Sequence, residues 1–462
     1  MENKIGANYI RAFKDADIRG IYPTEIDESA AYNIGRSFVE KGKYKKIVVG
    51  YDMRLSTPTL KAAFIDGARD GGATVVDIGM VRSPMLYFAS GHLNLPGAVI
   101  TASHSPKEYN GIKLVYAKAI PLTAETGLDA IKKQVEKGQF KEVKSRGKHK
   151  KISLRRQYRA YVLKGVDRKK LKGITVATDI GNGMAGVSMA ALDSKLPTKF
   201  PMIFAKPDGS FPNRDSDPCL RKNQKALVSE IKKSRADFGI GFDGDGDRIA
   251  FLDENGKYIN CASIGALIAE RLLEKELGAG IVHTNLTSRV FEEVVVENGG
   301  KPQRARVGHT FLKKMMREKG SVFGAEHSGH FFWRDFYITD STVLTLLAVL
   351  DIFAEKKKEG VSFSQMMKPY QRYQQTEDVV IKVENKKLAL ELIEKKLHKM
   401  KPKSIKKFDG FYVDFGDVWG SIKPSVTEYA IKLMFESKEK SKAVAVQKDL
   451  LKFVKKISHS NK

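Results

Sequence analysis

Apolar residues gather along this chain in short runs separated by stretches with helical spacing. Lys46-Ile47-Val48-Val49-Gly50 predicts a buried strand, Pro58 to Asp70 a helix, and Thr74-Val75-Val76-Asp77-Ile78 a second strand. A third run, Ala98-Val99-Ile100, leads into a polar loop. The pattern restarts at Ile174-Thr175-Val176-Ala177-Thr178-Asp179, where a Gly181-Asn182-Gly183 turn opens a helix, and continues with Asp237 to Phe242 and Ile249 to Leu252. A third round holds Gly280 to Thr284, a helical stretch, the strand-like Arg304 to Val307, and Val322-Phe323-Gly324. Strands alternating with helices predict βαβ units and mainly parallel sheets. The last part differs: a strand near Asp378 to Val383, a helix near Leu388 to His398, strands near Gly410 to Asp414 and Tyr429 to Phe435, then a Lys-rich helix. That order predicts a smaller α+β domain. The segments expected are 1–150, 151–255, 256–368 and 369–462, with the basic stretch from Lys141 to Arg156 as the first linker.

Composition narrows the class. Hydrophobic content of 42% suffices for several cores, so a disordered chain is excluded. The longest apolar run, Val343 to Ala354, is interrupted by Thr345 and Asp351 and falls short of the ~20 residues a bilayer span needs. Met1 to Ile5 lacks the apolar stretch of a signal peptide, and a cytoplasmic location is expected. Cys219 and Cys261 lie far apart, without disulfide-framework or metal-ligand spacing. The net charge of +27 concentrates in runs such as Lys144 to Lys151 and Lys401 to Lys407. Such runs can neutralise nucleic-acid phosphates, or they can be solvated faces. Aromatics are not interleaved with them as single-strand stacking requires, so no nucleic-acid partner is expected. The field can still draw small anions toward a cleft.

Three loops carry chemistry. The first, Thr101-Ala102-Ser103-His104-Ser105-Pro106-Lys107-Glu108-Tyr109-Asn110-Gly111-Ile112-Lys113, sits past a strand's carboxyl end, where open α/β sheets place their sites. Pro106 and Asn110-Gly111 predict tight turns and an exposed loop. A hydroxyl among cationic donors suits phosphoryl transfer; alone, the same loop is also an ordinary surface turn. The second is Asp243-Gly244-Asp245-Gly246-Asp247-Arg248, whose carboxylates can converge on a hard divalent cation. Arg248 stands where a calcium loop needs glycine, and strands flank the run, so an EF-hand is excluded. Mg²⁺ fits best, since it takes few protein ligands and completes its shell with phosphate and water. The third, Gly324-Ala325-Glu326-His327-Ser328-Gly329-His330, can hydrogen-bond sugar hydroxyls and move protons, or can be a polar turn. Gly308-His309 belongs beside it, with a structural role for the histidine equally open.

Together with Asp17 to Gly20, Gly50 to Ser56, Asp179 to Gly183 and Pro207 to Asn213, these loops resemble the α-D-phosphohexomutase superfamily, phosphomannomutase/phosphoglucomutase branch, over essentially the whole chain. The resemblance implies an α/β fold of four domains: three similar α/β domains with mixed sheets plus a C-terminal α+β domain closing over a cleft. It implies reversible interconversion of hexose 1-phosphate and hexose 6-phosphate, with mannose and/or glucose, through phosphoserine 103 and a 1,6-bisphosphate that reorients in the cleft. Ser103, Asp243, Asp245 and Asp247 would hold Mg²⁺. Arg19, His104, Lys113, His309 and His330 would surround the reacting groups with Arg248, while Glu326 and Ser328 grip the sugar. Hexose 1,6-bisphosphate would serve as activator, phosphosugars as the only partners, and the chain as a monomer or weak dimer without membrane contact.

Departures from the family pattern bear on binding. Its C-terminal phosphate loop usually holds an arginine before a Ser-Asn-Thr run; here the segment is Lys423-Pro424-Ser425-Val426-Thr427-Glu428. Lys423 keeps the charge without the bidentate fork, while Ser425 and Thr427 can still donate to phosphate. Ser105 replaces a common asparagine, and Ala16 an aromatic residue. Two alternatives stay open: a phosphoglucosamine mutase, which usually carries glutamine at the His327 position, and a non-catalytic phosphosugar-binding protein.

Overall fold

The structure, a computed structural model, describes residues 7–425 and 429–459. The chain forms two compact units, Met1–Ile259 with Ser328–Met366, and Asn260–His327 with Met367–Lys462.

The first unit contains two sheets. Its seven-stranded sheet runs in the order Ile18–Ile21, Tyr109–Tyr116, Gly97–Ile100, Lys46–Tyr51, Thr74–Met80, His149–Lys151, with Ile120–Pro121 paired to Tyr109–Tyr116. Lys46–Tyr51 runs parallel to both neighbours, whereas Tyr109–Tyr116 is antiparallel to Gly97–Ile100 and Ile18–Ile21. The sheet is therefore mixed, as the family resemblance implies, and not mainly parallel. The expected turn at Asn110-Gly111 is also corrected: both residues lie inside a strand. Glycine is required at 111 because a Cβ there would meet the Ile18 carbonyl oxygen at 2.2 Å. The Asn110 amide is buried and donates to Ser56 and Thr57. Helices Glu28–Gly42 and Thr57–Asp70 cover this sheet with Ile34, Phe38, Leu60 and Phe64 in its core. The stretch expected as a linker adds the edge strand His149–Lys151, then anchors itself through buried Leu154, Tyr158 and Val162.

The five-stranded sheet runs Tyr258–Ile259, Ile249–Asp253, Phe238–Phe242, Val176–Asp179, Met202–Ile203. Phe238–Phe242 is parallel to Val176–Asp179 and antiparallel to Ile249–Asp253, so the acidic loop is the connection between two buried, paired strands. The apolar run near Val343 becomes the helix Thr342–Lys358, capped by Ser341, with most of its residues buried. Among the described residues no helix is long and apolar enough to cross a membrane.

In the second unit, Gly280–Thr284 lies parallel to Lys301–Ala305 and Phe323–Ala325, with helices Cys261–Leu273, Arg289–Glu297 and His309–Lys319 between the strands in sequence. The C-terminal six-stranded sheet is antiparallel, with Ala430–Ser437 and Val418–Pro424 at its centre and helices Lys386–Lys399 and Lys440–His459 packed through Ile393, Leu397, Ile422, Leu433 and Leu450. Strands Ser404–Lys407 and Val418–Pro424 add to those the sequence pattern predicts. The fold is thus three α/β domains with mixed sheets and a C-terminal sheet domain.

Candidate functional site

The site in the first unit is built where the Gly97–Ile100 and Phe238–Phe242 strands end. Ser103 has φ of 50°, a left-handed conformation that is strained for a residue with a Cβ. Arg54 holds the loop in this shape: its guanidinium donates to the carbonyls of Ser103 (2.8 Å), Ser105 (2.6 Å), Pro106 (2.7 Å) and Tyr109 (2.9 Å). Asp52, 3.4 Å away, is its counter-ion. The expected exposure holds only for Pro106 to Glu108; Ser103 itself is 2% accessible, and Ser216 braces its carbonyl while accepting from Gly244 N–H.

The Ser103 hydroxyl donates to Asp243 Oδ2 at 2.8 Å and lies 3.4 Å from Asp247 Oδ1. Asp243, Asp245 and Asp247 are buried, and their oxygens come within 4.8 Å of one another. Lys113, on the strand antiparallel to Gly97–Ile100, donates to Asp245 (2.8 Å) and Asp247 (2.6 Å). His330 Nε2 is 3.3 Å from Asp247 Oδ1, and its Nδ1 is 3.0 Å from the Ser328 hydroxyl. Arg248 donates its backbone N–H to Asp243, approaches Asp217 at 3.7 Å and meets His104 Nε2 at 3.4 Å. Arg19 bonds to Ser105 and is anchored by Asp17.

Electrostatics divides these groups. Burial, then the charges of Asp247 and Asp245, hold the Asp243 carboxyl well above the usual carboxylate range. Burial also penalises Asp247, but Lys113, His330 and Arg248 outweigh it and hold that carboxyl well below the range. Lys113 stays firmly charged, because its two carboxylates overcome its burial. Burial and the guanidiniums of Arg248 and Arg19 push His104 well below the ordinary imidazole value, so it is neutral at physiological pH.

The residues fit a divalent cation. Three converging carboxylates face one buried ammonium, and Asp245 Oδ1 is buried without a hydrogen-bond partner. A buried acceptor oxygen without a partner, among three converging carboxylates, is suited to a cation.

The second unit brings another group together. Glu326, 3% accessible, accepts from Gly308 N–H at 2.9 Å, and Gly308 (φ 131°) caps the helix that starts at His309. Lys423, at the end of the Val418–Pro424 strand, bonds to Asp409 at 3.0 Å, with buried Ser425 two residues on. Thr427 and Val426 lie outside the described residues. Sequence reasoning missed the supporting residues Arg54, Ser83 and Asp409. Ser83 donates to Asp245 Oδ2 at 2.5 Å. Arg54 left one signal, its place just past the carboxyl end of the Lys46–Tyr51 strand, at the same sheet edge as the serine loop.

On this α/β scaffold the serine loop and the acidic loop meet in one buried site. Models of the phosphoglucomutase/phosphomannomutase α/β/α domains I, II and III match residues 11–142, 156–256 and 260–373. A phosphomannomutase of Vibrio cholerae is 33% identical over 97% of this chain and 99% of its own length. One from Escherichia coli K12 is 34% identical over 93% of this chain and 95% of its own. The crystal structure of a phosphoglucomutase/phosphomannomutase family protein from Burkholderia thailandensis superimposes with a TM-score of 0.88 at 27% identity, covering 96% of this chain and 98% of that one. The chain belongs to the phosphoglucomutase/phosphomannomutase family.

Proposed function

We propose that the enzyme interconverts hexose 1-phosphates and hexose 6-phosphates, with mannose and/or glucose as the sugar, by carrying a phosphoryl group on Ser103. The observation that supports this most is the Ser103 hydroxyl 2.8 Å from Asp243, beside a buried lysine and an arginine. In the first half-reaction the bond from Ser103 Oγ to phosphorus breaks and a bond to a sugar hydroxyl oxygen forms. The departing Ser103 oxygen gains the one proton that the attacking hydroxyl loses, while the Lys113 ammonium, held between Asp245 and Asp247, offsets the charge that develops in between. The attacking hydroxyl gives its proton to His104, kept neutral by its surroundings. Lys113, Arg248 and Arg19 neutralise the charge spread over the phosphoryl oxygens. The 1,6-bisphosphate then returns its other phosphate to Ser103, the proton passing back from the Ser103 hydroxyl to the departing sugar oxygen.

Asp243, Asp245 and Asp247 would hold Mg²⁺ together with a phosphoserine oxygen; the cation would supply further charge neutralisation at the transferring group. Glu326 and Ser328 are assigned to the sugar hydroxyls, His309 and His330 to the surroundings of the reacting groups, and Lys423, Ser425 and Thr427 to the distal phosphate. Hexose 1,6-bisphosphate recharges Ser103, and the enzyme acts in the cytoplasm as a monomer or weak dimer. The working domain division is 1–150, 151–255, 256–368 and 369–462.

The test is coupled mutase turnover of the wild type and Ser103→Ala, with Mg²⁺ and a trace of glucose 1,6-bisphosphate. The 1-phosphates of glucose, mannose and glucosamine serve as substrates. Turnover of glucose or mannose 1-phosphate, abolished in Ser103→Ala with an unchanged melting temperature, is expected. Preference for glucosamine 1-phosphate would transfer the enzyme to the phosphoglucosamine class. Turnover surviving in Ser103→Ala would overturn the phosphoserine route, and failure of all three sugars on phosphorylated protein would favour a binding protein.

A further inference from the structure

Lys423 offers one ammonium on a flexible stem, where a planar fork would orient itself on phosphate. Something else has to aim it. The turn between strands Ser404–Lys407 and Phe411–Asp414 is pressed against the Val418–Pro424 strand: a Cβ on Gly410 would meet the Ile422 carbonyl oxygen at 2.2 Å. Asp409, at φ of 51°, stands at the tip of that turn, with its side chain 7% accessible. A single oxygen of its carboxylate accepts from two elements, Lys423 Nζ at 3.0 Å and Val307 N–H at 2.9 Å. Val307 precedes Gly308, which donates to Glu326 and caps the helix of His309.

We infer that Asp409 is the positioning residue of the phosphate grip: it aims the Lys423 ammonium and ties it to the Val307–Gly308 backbone, which hydrogen-bonds Glu326 and leads into His309. This rests on the assignment of Lys423 to substrate phosphate under Proposed function. Glu436, on the strand Ala430–Ser437 opposite Trp419, secures the end of the Val418–Pro424 strand away from Lys423. It accepts from Arg289 N–H (3.0 Å), Trp419 Nε1 (2.8 Å) and the Ser288 hydroxyl, so Asp409 is the anchor nearer to Ser425.

The charged groups that face Lys423 are Asp409 and Glu326, which favour its ammonium, and Lys432, its cross-strand partner, which opposes it. Arg306 stands 4.0 Å from the far oxygen of Asp409. Burial already draws Lys423 below the ordinary lysine value, and Asp409 pushes it back up. Removing the carboxylate therefore does two things that a loss of packing does not: it frees the ammonium to wander, and it makes it lose its proton at lower pH.

The experiment uses the full chain as wild type, Asp409→Asn, Asp409→Glu, Lys423→Arg and the Asp409→Asn/Lys423→Arg pair. KM, kcat and the pH profile of kcat/KM are measured with the preferred hexose 1-phosphate. In Asp409→Asn, KM should rise about tenfold with a smaller change in kcat, and the alkaline limb should move down by about one pH unit. Asp409→Glu should recover most of the KM. The double variant should lose the alkaline shift, because a guanidinium does not titrate in this range. Wild-type KM and alkaline limb in Asp409→Asn would overturn the inference, as would a shift that persists in the double variant. If Asp409→Asn does not fold, Lys423→Arg alone decides: an alkaline limb that stays in place shows that Lys423 does not produce it, and the inference falls. If the wild type turns over no sugar, it is the mutase assignment that fails. Calorimetric titration of wild type and Asp409→Asn with inorganic phosphate then reads Asp409 directly, equal affinities counting against it.

Discussion

Arg54→Lys tests whether the serine loop depends on one buried guanidinium. Arg54 is 1% accessible, and two of its nitrogens make four bonds to loop carbonyls. Lysine keeps the charge, but its ammonium has three donors and no fork, so at least one of the four bonds is lost, and the Ser105 carbonyl, whose donor is Arg54, is orphaned when that bond goes. A buried polar group orphaned in this way costs about 1–3 kcal/mol. Arg54→Met removes all four bonds, leaving the Ser103 carbonyl with Ser216 and the Pro106 carbonyl with the Tyr109 N–H, and it strands the buried Asp52 carboxylate, for which breaking a buried charge pair alone costs about 3–5 kcal/mol. Catalysis should suffer more than stability in Arg54→Lys, because the Ser103 carbonyl is among the four acceptors. A displacement of ~1 Å at a reacting group is enough for about a hundredfold loss of rate. Urea denaturation followed by circular dichroism, run beside mutase turnover, measures both quantities. Arg54→Lys with wild-type denaturation and wild-type kcat would refute the assignment.

Asp245→Asn should raise the divalent-cation concentration for half-maximal turnover by at least about tenfold, since the amide removes the anionic charge behind the unpartnered Oδ1; an unchanged metal titration would count against a cation at this loop. His283 supplies a pH-dependent term away from the site. Burial, then Arg304, lowers it from 6.5 to about 4, against a weaker opposing effect of Glu292. The unfolded chain therefore takes up the proton first as pH falls, so stability is full above pH 6.5 and declines down to pH 4. The loss at the bottom of that window is about 3 kcal/mol, and His283→Gln should remove this part of the slope in denaturation at pH 4, 5, 6 and 7. An equal slope in the variant would show that other groups carry it.

Much of the fold was legible because the strands that form the sheet centres are buried on both faces. Lys46–Tyr51, Phe238–Phe242 and Gly280–Thr284 each appear as an unbroken apolar run bounded by polar or glycine-containing segments. The Tyr109–Tyr116 strand was not legible. Asn110-Gly111 has the composition of a turn, and only the neighbouring Ile18 backbone, ninety positions earlier in the fold's first strand, gives the glycine a strand role. The same limit applies to the helpers of the site: Ser83 and Asp409 act on atoms far away in the chain and no local pattern marks them, while Arg54 is marked only by its place past a strand's carboxyl end.

Sequence alone determined the chemical inventory. A hydroxyl after one strand, three carboxylates spaced by glycines after another, and a glutamate among histidines require only that short loops follow buried strands, which local patterning decides. Tertiary structure decided what those groups do to one another. By placing Lys113 on an antiparallel strand beside the acidic loop, it sets two carboxylates of one loop apart: burial and the neighbouring carboxylates push Asp243 up, while Lys113 and His330 hold Asp247 down. That separation comes from burial and from charges within a few ångströms, and those distances exist only once the strands have paired.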